Sequence, residues 1–104
     1  MQQYLYRIQP TRPAMLIEAT QRESELVSQH FKRLKGLMEQ GIVILAGRTL
    51  NADATTFGIV IFNAESDEAA HAIVDSDPAV AGGVFSAELF PYRVALIDEK
   101  NAYL

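Results

Sequence analysis

Two histidines, thirteen carboxylates, four tyrosines and nine basic residues are the groups with which this chain can do chemistry. It has no cysteine, so disulfides, thiolate metal sites and cysteine nucleophiles are excluded. His30 falls in the middle of a helical pattern, beside Leu26, Val27, Arg33 and Leu34 by helical spacing. An imidazole at the edge of an apolar stripe can serve as general acid or base. The alternative is a half-buried histidine bonded to a backbone carbonyl, and position alone favours it. His71 points away from the apolar side of its own helical pattern and is expected in solvent.

Asp77 is more informative. Pro78 follows it and disfavours the helical region for Asp77 itself, so the preceding helix should end at about Ser76. A carboxylate just past a helix C-terminus meets the negative end of the dipole. A cation or donor should compensate it, and a protonated His30 would do so. The competing reading makes Asp-Pro an ordinary turn starter.

Ala79-Val80-Ala81-Gly82-Gly83 follows, nearly devoid of side chains, so its backbone can approach another surface closely. Gly82 is the candidate there for substrate contact. The alternative is a tight connection in which a glycine supplies positive φ. Arg48, at a strand end, can clamp a carboxylate or phosphate with its planar fork; Arg12 and Arg93 are weaker candidates. There is no phosphate-binding loop and no nucleophile elbow. The histidines stand far apart in the chain, and nothing signals a metal site or a cofactor. Neither is expected.

The elements that must position these groups read as β-α-β-β-α-β. Residues 3–8 form a first strand, and Pro10 and Pro13 then break regular structure. Thr20-Gln21-Arg22-Glu23 has the form of a capping box. Val27, Phe31, Leu34 and Met38 follow as the inward stripe of a helix running to about Gln40, flanked by Leu26, His30 and Leu37. Gly41 suits its C-terminus. Strands follow at 42–46 and 57–63. Ser66 caps a second helix whose inward residues are Ala69, Ala70, Ile73 and Val74. A last strand spans 84–97, bent or interrupted at Pro91. Tyr4 and Tyr6 share one face of the first strand and are expected in the core.

This order is the split βαβ, ferredoxin-like α+β arrangement, with two helices on one face of an antiparallel sheet. In the third strand Phe57, Ile59 and Ile61 point one way, and Val60 and Phe62 point the other. Both sheet faces are therefore apolar, and two helices cover only one. An identical chain is the simplest cover for the other, giving a homodimer; scattered apolar residues on an open face are the alternative.

The length of 104 residues fits one domain, taken as 1–104. A net charge of −4 and a pI near 5.0 argue against nucleic acid as partner. No signal-peptide core can be drawn in residues 1–20, and no apolar run is long enough to span a bilayer. Cytoplasmic location, without membrane contact, is the expectation.

The stretch from His30 through Leu34, Leu37 and Gly41, then Leu45-Ala46-Gly47, resembles the YCII-related family, as does Asp77-Pro78 followed by Gly82-Gly83-Val84-Phe85. The resemblance covers about residues 26–95, and the Asp-Pro segment is its more specific part. It implies a dimeric α+β barrel similar to muconolactone isomerase, with His30 and Asp77 as the active-site pair. One relative is a dehydrochlorinase of chlorinated hydroxyhydroquinones, a lyase. Two departures remodel the pocket rim. Ala14-Met15 follows Arg12-Pro13, with His30 further along the chain, and Gly47 is followed by Arg48 where many members have Pro. The implied function is a cofactor-independent acid–base enzyme, a lyase or isomerase, using His30 and Asp77 on a small molecule. A non-catalytic ligand-binding or regulatory module using the same pocket is the alternative. An oxygenase, by analogy of fold alone, is a third reading.

Overall fold

The computed structural model describes residues 1–101; the last three residues of the expected domain span lie outside the described residues. Strand β1 (Gln2–Pro10) leads through a 3-10 turn (Pro13–Leu16) to helix α1 (Gln21–Glu39). Strands β2 (Val43–Arg48) and β3 (Gly58–Ala64) follow, then α2 (Asp67–Asp75), a one-turn helix α3 (Pro78–Ala81) and β4 (Phe85–Tyr92). The sheet order is β2-β3-β1-β4 and every pairing is antiparallel. This is the ferredoxin-like α+β fold expected from the pattern, with helices on one face.

The α1 capping box forms as the sequence indicates. The Thr20 hydroxyl accepts from the Glu23 N–H at 3.1 Å, and the Glu23 carboxylate accepts from the Thr20 N–H at 2.8 Å. The inward face of α1 is rotated from the expected stripe. Phe31 and Met38 are 66% and 51% exposed, while Glu23, His30 and Leu34 are buried. Glu23 turns inward because the Arg12 guanidinium also grips its carboxylate, with Nε at 3.0 Å. That fixes the helix so that positions seven and eleven further on, His30 and Leu34, meet the sheet.

The last strand also differs from expectation. It ends at Tyr92 rather than 97, because Tyr92 pairs with Gln3 at the very start of β1 and no ladder extends beyond. Pro91 is accommodated within it because β4 is an edge strand.

Tyr4, Tyr6 and Ile8 face the helices from β1, and Val60, Phe62 and Ala64 do so from β3. The Tyr6 ring meets Phe62 edge-on at 5.7 Å. The opposite face carries a row running Leu45, Ile61, Leu5, Phe90 across all four strands. Leu45 and Phe90 are 40% and 44% exposed there. This row is an apolar band on the open face, as β3 predicts, but the rows beside it carry Gln3 and Asn63 on one side and the Arg7–Glu88 ion pair on the other.

Candidate active site

Side-chain size along the helix-facing sheet surface decides where a cavity opens. Strand alternation and register place successive rows across the sheet. The central row is Ala46, Val60, Tyr6, Leu89, and the next toward one end is Arg48, Gly58, Ile8, Ala87. That end row has a glycine and an alanine where a filled core would carry bulk. A Cβ at Gly58 would sit 3.1 Å from Ile8 Cγ1 and 3.2 Å from the Gly47 carbonyl, so the position is also sterically held to glycine. Above it lies a cavity of about 290 Å³, roofed by Val27, His30 and Phe31 of α1 and closed at the side by Phe85. The walls are apolar except for His30 and Arg48.

His30 enters this cavity backed by a buried carboxylate. Asp77 is fully buried, and its Oδ2 accepts from His30 Nδ1 at 2.6 Å and from the Tyr6 hydroxyl at 2.7 Å. Its Oδ1 accepts from the Ala79 N–H at 3.0 Å. Burial pushes the Asp77 carboxyl up, but bonds from His30 and Tyr6, attraction to His30 and the Ala79 N–H outweigh it, and the net shift is downward. Burial, reinforced by the Asp77 charge, raises the Tyr6 hydroxyl, which therefore stays protonated and donating.

An ionised carboxylate only accepts, so Nδ1 of His30 must carry the proton. Nε2 is then the lone-pair nitrogen of the neutral ring. It has no hydrogen-bond partner among the described residues, and it is not sealed from solvent, since no buried side-chain nitrogen or oxygen is left unpartnered. The ring is held edge-on against Phe85 at 5.2 Å. A carboxylate that orients a histidine through Nδ1, on a ring that lines a cavity and leaves Nε2 unbonded, can support general acid–base chemistry.

His30 and Asp77 are in contact as expected, but for a different electrostatic reason. Asp77 does not stand unsupported beyond α2. It caps the N-terminus of α3, where its charge is favoured by the Ala79 N–H. The site lies at the junction of α2 and α3. Arg33 of α1 holds that junction, donating to the Ile73 carbonyl at 3.0 Å and to Ser76 Oγ at 2.6 Å. It supplies the cation that the last turn of α2 lacks.

Arg48 points to the same side of the sheet as His30 and lines the cavity, with no carboxylate or hydrogen-bond partner for its guanidinium among the described residues. Gly82 is not brought to the site. A Cβ there would lie 2.6 Å from Leu26 Cδ1 and 2.9 Å from the Pro78 carbonyl, so its smallness serves the packing of α1 on α3. Arg12 is engaged with Glu23, and His71 is exposed. Tyr6 lies in the core as its strand face predicts, and its bond to Asp77 is a partner that strand spacing does not reveal. Its hydroxyl on a buried face was the signal, since a buried phenol needs an acceptor. Among the described residues no cluster of histidine, aspartate and glutamate is arranged to hold a metal ion. No helix there is long and apolar enough to cross a membrane.

A family model, the YCII-related domain, matches residues 4–93. No curated protein sequence matches the chain significantly. Among solved structures, the chain is similar to 5-chloro-2-hydroxyhydroquinone dehydrochlorinase from Burkholderia phenoliruptrix AC1100, in complex with 2,5-dihydroxybenzoquinone. The TM-score is 0.62 at 22% identity, over 86% of this chain and 93% of that one. That likeness bears on the fold.

Proposed function

The chain belongs to the YCII-related family, and on that premise we propose that it is an acid–base enzyme of the lyase or isomerase type, acting on a small molecule with His30 and Asp77 as its catalytic pair. The observation that carries this reading is the 2.6 Å bond from His30 Nδ1 to a fully buried Asp77, on a histidine that lines a cavity and whose Nε2 has no partner among the described residues. Nε2 removes a proton from the substrate, and the bonding electrons stay behind as an enolate or form a double bond as a leaving group departs. The imidazolium so formed is stabilised by Asp77 and returns its proton in an isomerisation or to solvent in an elimination. Arg48 holds the oxygen on which negative charge resides or develops. No cofactor takes part in this scheme. The solved neighbour is named a dehydrochlorinase, and loss of HCl likewise requires proton removal.

The test is turnover by purified protein in D2O, with 5-chloro-2-hydroxyhydroquinone and a set of small enolisable acids. Chloride release and deuterium incorporation are the readouts. His30→Ala should slow any turnover by roughly 100-fold or more. Binding seen as thermal stabilisation, with no turnover of any compound, would replace the enzyme by a non-catalytic binding or regulatory module.

We also propose that the working form is a homodimer joined through the open sheet face, the geometry of a dimeric α+β barrel. The Leu45-Ile61-Leu5-Phe90 row supports this. Light scattering should give twice the chain's 11.5 kDa; a clean single-chain mass at micromolar concentration would contradict it.

A further inference from the structure

The His30 cavity does not end at Arg48. A second hollow of about 310 Å³ continues from it, sharing Ile8, Val27, Arg48, Gly58 and Phe85 as common walls. Beyond this waist its lining is Pro10, Met15, Leu16, Thr56 and Phe57. Among the described residues, Arg48 is the only lysine or arginine lining either hollow, and it belongs to both.

The outer wall of the second hollow is not a loose loop. Met15 and Leu16 ride on the 3-10 turn, and the chain on either side of that turn is tied down. Before it, Thr11 donates its N–H to the Val84 carbonyl at 2.9 Å and its hydroxyl to the Gly83 carbonyl at 2.7 Å. Arg12 bridges it to α1, donating to Glu23 at 3.0 Å and to the Glu18 carbonyl at 2.8 Å. Yet Met15 and Leu16 remain only half-buried. A fixed apolar wall facing a hollow favours binding, because little ordering remains to oppose it.

We propose that the two hollows form one ligand site with Arg48 at its waist, and that the ligand is a branched organic acid with an apolar arm on each side of its acid group. One arm lies beneath His30, and the other lies against Met15 and Leu16. The acid group meets the free guanidinium between them. This deepens the acid–base reading of the same site by naming its substrate class.

The test compares three probes by calorimetry. Hexanoate and 3-phenylpropanoate each carry one arm, and 2-benzylhexanoate carries both. The two-armed acid should bind at least tenfold more tightly than either parent, as burial of two or more further methylenes requires. Leu16→Trp, and independently Met15→Trp, should fill the second hollow and erase that gain. Arg48→Gln should weaken all three probes. Equal affinity for one-armed and two-armed acids would overturn the proposal, as it would if a second copy of the chain plugs the hollow. A gain surviving both tryptophan variants would overturn the assigned location, and indifference to Arg48→Gln would overturn the acid. The two readings separate in the wild type itself: the two-arm gain without turnover of any compound sinks the catalytic reading alone, and turnover without the two-arm gain sinks this proposal alone.

Discussion

Two tyrosines, two positions apart on β1, make the same kind of bond to two aspartates at helix starts. The Tyr4 hydroxyl donates to Asp67 Oδ1 at 2.6 Å, where α2 begins, and the Tyr6 hydroxyl donates to Asp77 Oδ2 at 2.7 Å, where α3 begins. At the first, Asp67 is exposed, Gln2 Oε1 lies equally close to the phenol at 2.6 Å, and these acceptors satisfy a buried hydroxyl at the edge of a filled core. At the second, the carboxylate is completely buried and takes a further hydrogen from His30, beside a sheet row thinned to glycine and alanine. The same strand-to-helix tie closes a filled core in one place and, in the function proposed above, orients a base in the other. Burial of the carboxylate and an adjacent hollow make the difference.

Removing Asp77 should break this contrast most severely. Asp77→Ala leaves His30 Nδ1–H, the Tyr6 hydroxyl and the Ala79 N–H without their acceptor. We expect a loss of about 3–5 kcal/mol, read by chemical denaturation. A loss below about 1 kcal/mol would mean the network is not formed.

The paired tyrosine variants sharpen it. Tyr6→Phe removes a donor to a buried charge and should lose roughly 1.5–3 kcal/mol. Tyr4→Phe should lose clearly less, since water can replace the phenol at Asp67. Equal losses would erase the distinction drawn between the two ties.

A smaller effect concerns acid stability. Glu23 is held at about 2, below its ordinary 4.5, chiefly by the Arg12 hydrogen bonds and then by the Thr20 N–H. Asp77 is also lowered, with burial opposing and the His30 and Tyr6 bonds prevailing. Both contributions are fully present above the ordinary carboxylate values and fade as pH falls through the lowered ones. The melting temperature should therefore drop between about pH 4.5 and 2, with a shallower drop in Glu23→Gln. Parallel curves would show that the Arg12–Glu23 tie adds no stability.

Much of this was legible in the sequence, because periodicity and capping chemistry are local. The element order, the Thr20–Glu23 capping box and the apolar band on the open sheet face all follow from spacing. The rotation of α1 did not, since it depends on Arg12 reaching Glu23 across a turn. Phe31 and Met38 fit an apolar stripe by spacing, yet they are exposed in the single chain. The His30–Asp77 contact came from charge reasoning and resemblance, but α3 was hidden in a one-turn run after proline. The hollow itself could not be read from spacing. It arises where Gly58 and Ala87 meet in register on either side of Ile8, and register is a long-range property.

The central claim is that Asp77 holds the neutral His30 ring with its proton on Nδ1, leaving Nε2 as the base. Long-range proton–nitrogen NMR of labelled protein, at a pH where the ring is neutral, reads this directly. We predict a protonated, pyrrole-type shift for Nδ1 and a bare, pyridine-type shift for Nε2 of His30, with the preference lost in Asp77→Ala. A proton on Nε2, or a tautomer mixture unchanged by that substitution, would contradict the account.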